Sequence, residues 1–191
     1  MKMLGSKTLE TKRLILHKTE EKDLKELWSI LCIDEVNKYY LTAKLNYDWE
    51  KEVKWQYKKL ENASNPYVFT WTIELKDTNE VIGQISVQAR ENEPENIRDI
   101  GWFLEPTHHK KGYAYEAAYA YFNYLFNQKN ARRLYAFTED YNRSSQRLCE
   151  KLGMRKEGMF LEFVSFINDK DGNPIYENTI QYAILKKEWS K

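Results

Sequence analysis

The clearest structural signal in this chain is the stretch Trp102-Phe-Leu-Glu-Pro-Thr-His-His-Lys-Lys-Gly-Tyr-Ala-Tyr-Glu-Ala-Ala118. Its apolar, strand-like beginning ends at Pro106, and Gly112 begins an amphipathic helix six residues later. The first N–H groups of a helix have no partner within it, and the helix dipole favours an anion beside them. Gly112 has no Cβ, so a ligand can approach the backbone closely there. The loop before the helix is basic: His108, His109, Lys110 and Lys111.

This pattern predicts a phosphate-binding loop, although a solvated loop whose lysines face water would have the same sequence. The loop is not a nucleotide-hydrolase P-loop, because Lys111 precedes the glycine and Tyr113 follows it. It is not a G-x-G-x-x-G dinucleotide turn either, since Gly112 is the only glycine between Gly101 and Gly153. We therefore expect the anion on the backbone N–H groups at the start of the helix that begins at Gly112.

Composition excludes several classes of protein. The chain has 191 residues, of which 42% are apolar, and this suffices for about one domain with a proper core. No run approaches the ~18 apolar residues of a membrane-spanning helix, and residues 1–7 lack the apolar segment of a secretory signal. A formal net charge of +1 argues against general nucleic-acid binding. We therefore expect a cytoplasmic protein whose partners are neither a membrane nor a nucleic acid.

Cysteine and histidine usage predicts no metal site. Cys32 and Cys149 fit a reducing compartment and cannot form a disulfide framework. The three histidines lack the spacing of zinc ligands. Aromatic residues are abundant, with 14 Tyr, 8 Phe and 6 Trp, and most of them must serve the core. A few of these rings are also candidates to line a cleft.

The first third of the chain predicts one strand and two helices. Residues 13–16 form a short strand, and Thr19 caps a helix with acidic residues in its first turn. Residues 34–47 form a loop, and a second helix runs from Trp49 to about Leu60, capped by Asp48. The first helix has an apolar stripe at helical spacing: Leu24, Leu27, Trp28 and Leu31.

The rest of the chain predicts strands that alternate with two helices. Apolar side chains alternate from Tyr67 to Leu75, which is typical of a half-buried strand, and residues 81–89 form its hairpin partner. The chain thus predicts one α/β domain with a mixed, mostly antiparallel sheet. The remaining elements are a strand at 97–104, the helix after the loop, a strand at 133–138, a helix at 142–152 and a hairpin of strands 160–167 and 175–185.

Several motifs resemble the GNAT superfamily of N-acetyltransferases. The segment His109-Lys-Lys-Gly-Tyr-Ala114 is similar to the family's acyl-CoA pyrophosphate loop, Gln/Arg-x-x-Gly-x-Gly/Ala, and differs at the first position, His109. Further motifs occur in the same order and at the same spacings as in the branch that contains ribosomal-protein N-terminal acetyltransferases. They are Leu9-Glu-Thr-Lys-Arg-Leu-Ile-Leu16, Val81-Ile-Gly83, Asp99-Ile-Gly-Trp-Phe-Leu-Glu-Pro106, and Asn142-Arg-Ser-Ser-Gln-Arg-Leu-Cys-Glu-Lys-Leu-Gly-Met154 followed by Glu157-Gly158.

The resemblance implies a GNAT-like fold, α/β (α+β), with splayed strands flanked by helices and a single N-acetyltransferase domain over residues 1–191. It implies acetyl-CoA as cosubstrate, with main-chain groups around Phe103 and Leu104 pairing with the pantetheine arm. Asn142 would reach the pantetheine or acetyl end, although a helix-start Asn also has a plain capping role. The residues implied to hold the pyrophosphate are His109, Lys110, Lys111, Gly112, Tyr113 and Ala114.

For catalysis, the resemblance implies direct attack by an amine on the thioester. Ser145 matches a position where the branch often carries a hydroxyl near the CoA sulfur, so it is a candidate to assist the leaving thiolate. Many GNAT enzymes carry a tyrosine acid one turn later, where this chain has Cys149, which is either an acid or a small buried hydrophobe. The sequence shows no evident general base, and its candidates by residue type alone are Glu74, Glu116 and Glu162.

The expected acceptor is the N-terminal α-amine of a protein. An α-amine has a pKa of about 7.7–8.0 and a lysine ε-amine one of about 10.4, so an α-amine needs less help from a base. The acceptor pocket is expected between residues 34–47 and 168–178, which contain Asp34, Glu35, Tyr39, Tyr40, Asp169, Asp171 and Glu177. The alternatives are a polyamine or aminoglycoside acceptor, a non-catalytic acyl-CoA-binding module, or a structural partner protein. A monomer and a homodimer are both left open.

Overall fold

The computed structural model describes residues 7–39, 68–88 and 96–189. The described residues form eight strands in one sheet, with helices on both of its faces. The helices are α1 (Leu24–Leu31), α2 (Asp34–Asn37), α3 (Tyr113–Gln128) and α4 (Arg143–Lys151). The strands are β1 (Leu9–Glu10), β2 (Leu14–Lys18), β3 (Val68–Leu75), β4 (Val81–Gln88), β5 (Ile97–Leu104), β6 (Arg133–Glu139), β7 (Arg155–Asn168) and β8 (Pro174–Leu185).

The strand order across the sheet is β1-β2-β3-β4-β5-β6-β8-β7. Neighbouring strands are antiparallel except β5 and β6, which run parallel. The predicted fold class is therefore confirmed: a mixed, mostly antiparallel sheet flanked by helices. The predicted β3–β4 hairpin is present, with Trp71 opposite Ile85 in its register.

The parallel pair β5–β6 is joined over only three register pairs, Ile97 with Arg133, Arg98 with Leu134 and Asp99 with Tyr135. Beyond Asp99, β5 continues to Leu104 on the β4 side, whereas β6 continues to Glu139 on the β8 side. The two strands therefore diverge at the middle of the sheet, as expected for splayed strands.

The main core lies between the sheet and α3. Trp71 of β3 is fully buried, and its ring centroid lies 4.8 Å from that of Tyr121 on α3. On the opposite face of the sheet, Leu27 and Ile30 of α1 pack with Phe103 in a smaller cluster. Leu104, the next residue of β5, belongs instead to the main core, because successive side chains of a strand point to opposite faces. Phe103 and Leu104 thus anchor the end of β5 from both sides.

The structure corrects two local predictions. Thr19 does not cap a helix, because its side chain is buried and its hydroxyl oxygen accepts hydrogen bonds from the Thr72 hydroxyl at 3.2 Å and from the Gln84 amide at 3.3 Å. The helical segment begins one residue later, where the N–H of Glu20 donates to the Asp23 carboxylate at 2.8 Å. Residues 34–37, predicted as loop, form the short helix α2. The predicted helix from Trp49 to Leu60 lies outside the described residues.

The other predicted elements are found with shifted ends. The strand at 97–104 has the predicted bounds, whereas the last hairpin is longer, because its first strand begins at Arg155. No helix in the described segments is long and apolar enough to cross a membrane.

Candidate functional site

A cavity of about 450 Å³ lies where β5 and β6 diverge. Its floor is formed by the end of β5, residues 100–104, and by Ala136, Phe137 and Glu139 of β6. One wall is the basic loop with the start of α3, and the other is the start of α4 with Val36 and Tyr39. The lining side of α4 and the turn before it consists of Asn142, Ser144, Ser145, Arg147 and Leu148. The cavity thus connects the predicted phosphate loop to the helix that carries Ser145.

Two residues of the basic loop adopt a left-handed backbone conformation immediately before α3. Lys110 and Gly112 both have positive φ angles, 60° and 85°, in the left-handed region that favours glycine. A ring nitrogen of His109 lies 3.0 Å from the carbonyl oxygen of Leu104, which ties the loop to the end of β5. Gly112 is the N-cap of α3, and the first amides of a helix have no internal partner. These features fit the diphosphate of an acyl-CoA.

Most of the loop residues predicted to bind cofactor line the cavity. His109, Lys110, Gly112, Tyr113 and Ala114 are among the lining residues. Lys111 is not, and its carbonyl accepts a hydrogen bond from the Arg13 side chain at 3.0 Å. His108, the first residue of the basic loop, is buried and also lines the cavity, and its Nδ1 lies 2.6 Å from the Glu105 carboxylate.

Glu116 is a structural residue and not a base in the cavity. Its carboxylate accepts hydrogen bonds from the Thr11 hydroxyl at 2.7 Å and from the backbone N–H of Arg13 at 2.8 Å. The Arg13 side chain adds an ion pair at 2.7 Å. Burial alone would raise the pKa of Glu116, but the hydrogen bonds and charge of Thr11 and Arg13 lower it overall. A carboxylate held in this way is a poor proton acceptor.

The start of α4 is held in place by local hydrogen bonds. Asn142 is the N-cap, and its side-chain oxygen accepts the N–H of Ser145 at 3.1 Å. Gln146 is buried, and its amide donates to the carbonyls of Glu139 and Asp140, each at 3.0 Å. Ser145 is half-buried and lines the cavity. The predicted capping role of Asn142 is confirmed, and both Asn142 and Ser145 line the cavity.

Cys149 lies in the hydrophobic core and is not among the cavity-lining residues. Its side chain is fully buried. Burial is the main cause that raises the pKa of the thiol to about 12, and the charge of Glu150 adds to the effect. This position favours the packing role over the acid role, because a general acid must reach the leaving group.

Glu139 is a buried carboxylate that sequence reasoning missed. It ends β6, is 8% exposed and lines the cavity. Burial raises its pKa, and the hydrogen bond with the Asn142 side chain opposes this only in part. Its cross-strand neighbour Thr179 has a buried hydroxyl without a hydrogen-bond partner in the described part of the chain. An acid at the end of a strand gives no sign in sequence that it is buried.

The end of the cavity near Glu139 combines aromatic rings with carboxylates, and we call it the acceptor end. Tyr39 lines the cavity and stacks on Tyr141, with ring centroids 5.7 Å apart. The Tyr141 hydroxyl donates to the Glu177 carboxylate at 2.6 Å. Burial is the main cause that raises the pKa of Tyr141, and its hydrogen bond to Glu177 adds to the rise. This end suits a cationic amine.

The other carboxylates named from sequence lie elsewhere. Glu74 faces a ring nitrogen of His17 at 3.4 Å, and Glu162 is exposed on β7. Asp169 accepts the N–H groups of Asp171 and Asn173 at 2.9 Å each, so it shapes the β7–β8 turn. Of residues 168–178, Glu177 alone reaches the acceptor end within the described structure, through Tyr141. None of residues 168–178 lines the cavity itself, so a role of this turn in acceptor binding stays a prediction.

Comparison with known proteins identifies the family. The family model described as "Acetyltransferase (GNAT) domain" matches residues 13–155 of this chain. The chain is similar to YnaD, an uncharacterized N-acetyltransferase of Bacillus subtilis, with 30% identity over 182 residues that cover 95% of this chain and 99% of YnaD.

Two solved structures that contain CoA have the same fold. RimJ of Mycobacterium smegmatis in complex with CoA-disulfide has a TM-score of 0.79 and 17% identity, covering 100% of this chain and 93% of RimJ. Spermidine N-acetyltransferase of Vibrio cholerae, in complex with CoA and spermine, has a TM-score of 0.76 and 20% identity, covering 95% of this chain and 100% of that protein. The chain thus belongs to the GNAT acetyltransferase family and is an acetyl-CoA-dependent N-acetyltransferase.

Proposed function

We propose that this enzyme transfers the acetyl group of acetyl-CoA to the N-terminal α-amine of a polypeptide. The observation that carries the proposal is an aromatic path from the cavity to an exposed surface. Phe137 lines the cavity, and its ring centroid lies 6.1 Å from that of Phe160 and 6.2 Å from that of Phe163. Phe160 and Phe163 are 40% and 51% exposed on β7.

The β7–β8 hairpin carries an exposed surface of seven large hydrophobic side chains. Apart from Tyr141, every large hydrophobic side chain identified as exposed in the described residues belongs to it. An apolar surface that continues from an active-site cleft suits a polypeptide that presents its terminus to the cleft, because a small amine would leave it unused. Its members, which we call the hairpin surface, are Met159, Phe160, Leu161, Phe163, Ile167, Ile175 and Tyr176.

The donor occupies the other end of the cavity in this proposal. The diphosphate lies on the amides of residues 110–114, and the pantetheine arm follows the main chain of Phe103 and Leu104 between the diverging strands. Asn142 and Ser145 lie beside the thioester, since both line the cavity at the start of α4. The Ser145 hydroxyl is then placed to give a proton to the departing thiolate, and the proton that Glu139 takes from the amine returns to Ser145 through water.

Glu139 is the proton acceptor of the proposed reaction. The lone pair of the amine nitrogen forms the new bond to the thioester carbonyl carbon, and the C–S bond breaks with its electron pair on sulfur. The proton lost by the amine passes to the Glu139 carboxylate, directly or through one water. Burial raises the pKa of Glu139 towards the working pH, which makes it a better base than an exposed glutamate.

A polyamine is the second candidate acceptor, and one observation favours it. The charge of Glu177 helps to raise the pKa of Glu139, so the two carboxylates lie close together. Both also adjoin the stacked pair Tyr39–Tyr141. Two carboxylates with aromatic rings are suited to a multivalent cation. The similarity in fold to a spermidine N-acetyltransferase is compatible with this alternative.

The decisive experiment is competition at pH 7 among four acceptors. They are a peptide with a free N-terminus, the same peptide with a blocked N-terminus and a free lysine, alaninamide as a small α-amine, and spermidine. We expect the free N-terminus to be acetylated fastest. Faster turnover of spermidine would make the enzyme a polyamine acetyltransferase, and CoA binding without turnover of any amine would indicate a non-catalytic module.

Substitution of the hairpin surface provides the matched control. Phe163→Ser is expected to raise KM for the peptide about 10-fold while leaving KM for alaninamide unchanged, because only the longer acceptor reaches the hairpin surface. Equal effects on both acceptors, or none on either, would remove the support that this surface gives to a polypeptide acceptor.

A further inference from the structure

Arg13 lies behind the basic loop and contacts it on two sides. Its Nη1 donates to the carbonyl oxygen of Lys111 at 3.0 Å, and its guanidinium carbon lies 4.3 Å from the centre of the Tyr113 ring. A Cβ added at Gly112 would come within 3.4 Å of its Nη2. The guanidinium thus touches the loop immediately before, at and after the N-cap of α3.

The same side chain is fixed on its other side by Glu116. The Arg13 Nε donates to the Glu116 carboxylate at 2.7 Å, and Nη2 lies 2.7 Å from the same oxygen. Glu116 also accepts the Thr11 hydroxyl and the Arg13 backbone N–H, and its own N–H donates to the carbonyl of Gly112 at 3.0 Å. A planar guanidinium with a rigid fork of donors can make these contacts together, whereas a lysine ammonium cannot.

The loop requires such support because of its conformation. Lys110 adopts a φ angle of 60°, which residues with a side chain rarely adopt, and Gly112 adopts one of 85°. Strained backbone conformations persist where the surrounding structure holds them. In the described residues, the loop is held by the contact of His109 with Leu104 on one side and by Arg13 on the other.

We propose that Arg13 is a positioning residue that holds the basic loop in its diphosphate-binding conformation, with Glu116 as its anchor. Preorganisation of a binding loop raises affinity because less conformational freedom is lost on binding. Arg13 acts through the Lys111 carbonyl and the Tyr113 ring, and it is not required for the chemical step. Its contribution therefore appears in the binding of acetyl-CoA and not in kcat at saturation.

The test is the Arg13→Lys variant, which retains the positive charge and loses the planar guanidinium with its fixed set of donors. We expect KM for acetyl-CoA and Kd for CoA to rise about 10-fold, with kcat at saturating acetyl-CoA unchanged. With S-acetylpantetheine, a donor without phosphates, the variant and the parent should have equal kinetics. An unchanged Kd for CoA, or an equal loss with both donors, would overturn the proposal.

Two further variants separate positioning from stability. Arg133 also pairs with a carboxylate, Glu157, through two guanidinium nitrogens and lies over the Tyr135 ring, but on β6 away from the loop. Arg133→Lys should therefore lower Tm without changing Kd for CoA. Glu116→Gln should reproduce the effect of Arg13→Lys, and the double variant should bind CoA no more weakly than the weaker single variant. Additive losses of CoA affinity would show that the two residues act separately and would contradict the proposal that Glu116 anchors Arg13.

The inference rests on the proposed placement of the diphosphate at this loop. The two ideas fail in distinguishable ways. If the diphosphate lies elsewhere, a negative charge introduced at Gly112 will also leave CoA affinity unchanged. If only the role of Arg13 is wrong, that charge will weaken CoA binding while Arg13→Lys will not.

Discussion

The two ends of the cavity are built in different ways. The donor end is almost one continuous segment, from Leu104 to Ala114, supported by Arg13. The acceptor end is assembled from separate elements: Tyr39 after α2, Glu139 at the end of β6, Tyr141 in the next turn and Glu177 on β8. The first end offers backbone amides and the second offers carboxylates and rings.

This difference explains how one family can keep its donor and vary its acceptor. Binding by backbone amides depends on loop conformation and tolerates changes of most side chains, such as His109 at the first position of the motif. Binding by side chains from separate elements changes whenever one of them is substituted. We therefore expect donor-end variants to change CoA affinity and acceptor-end variants to change turnover and choice of amine.

The largest expected effect is at the acceptor end. Glu139→Gln keeps the size of the side chain and removes its basicity, so kcat should fall about 100-fold or more. In the parent enzyme, activity should fall as the pH drops through the raised pKa of Glu139, because the protonated acid cannot accept a proton. The measurement is the pH profile of kcat for both proteins, with the acid limb absent from the variant.

The same substitution should stabilise the fold at pH 7. Because the pKa of Glu139 is raised in the folded state, its contribution to stability is fully present below the unfolded-state pKa and is lost as the pH rises through the folded-state pKa. A neutral Gln avoids that loss, so Tm should increase while kcat decreases. Glu177→Gln serves as the control, with a small change in kcat. Equal losses in both variants would mean that the two carboxylates act only by their charge.

The next effect should be at the donor end. Gly112→Asp introduces a negative charge beside the proposed diphosphate, which should weaken CoA binding by about 2–3 kcal/mol, or about 100-fold, at an effective dielectric constant of about 20. Gly112→Ala is the control for backbone strain, since its positive φ angle disfavours any side chain. Calorimetry that finds the same CoA affinity in both variants would remove the loop as the diphosphate site.

A smaller effect is expected where the two ends meet. Ser145→Ala removes the hydroxyl proposed to protonate the thiolate, and kcat should fall about 10-fold while Kd for CoA stays nearly constant. The N-terminal cap of α4 should survive, because it depends on the Ser145 N–H and the Asn142 side chain. If kcat were unaffected, Ser145 would be a helix-start residue with no catalytic role.

The smallest effect is expected at Cys149. Cys149→Ala should lower stability by about 1 kcal/mol, because a buried sulfur is removed from the core, and should leave kcat unchanged. Chemical denaturation and steady-state kinetics measure both quantities. A loss of kcat comparable to that of Ser145→Ala would restore the acid role of the thiol.

The donor end could be predicted from sequence because it is local. A strand, a basic loop and a helix that begins at Gly112 follow one another in the chain, and their chemistry depends on the backbone. Glu139 could not be predicted, because its burial depends on how the chain packs after the strand: α4 turns back beside it, and β8, which is distant in sequence, pairs with it. Thr19 shows the converse: its local pattern is that of a helix cap, but its hydroxyl accepts hydrogen bonds from Thr72 and Gln84, which are distant in sequence.

The short pairing of β5 with β6 has a mechanical consequence. The sheet is continuous over six or seven register pairs on either side of this seam, but only three pairs cross it. The seam is therefore the place where the interior of the sheet can open at least cost, with β1–β5 as one cooperative unit and β6–β8 as the other. An acetyl-CoA molecule bound along both strands would connect the two units and oppose their separation. Amide hydrogen exchange along β5 and β6 should then slow on CoA binding more than exchange in the β3–β4 hairpin.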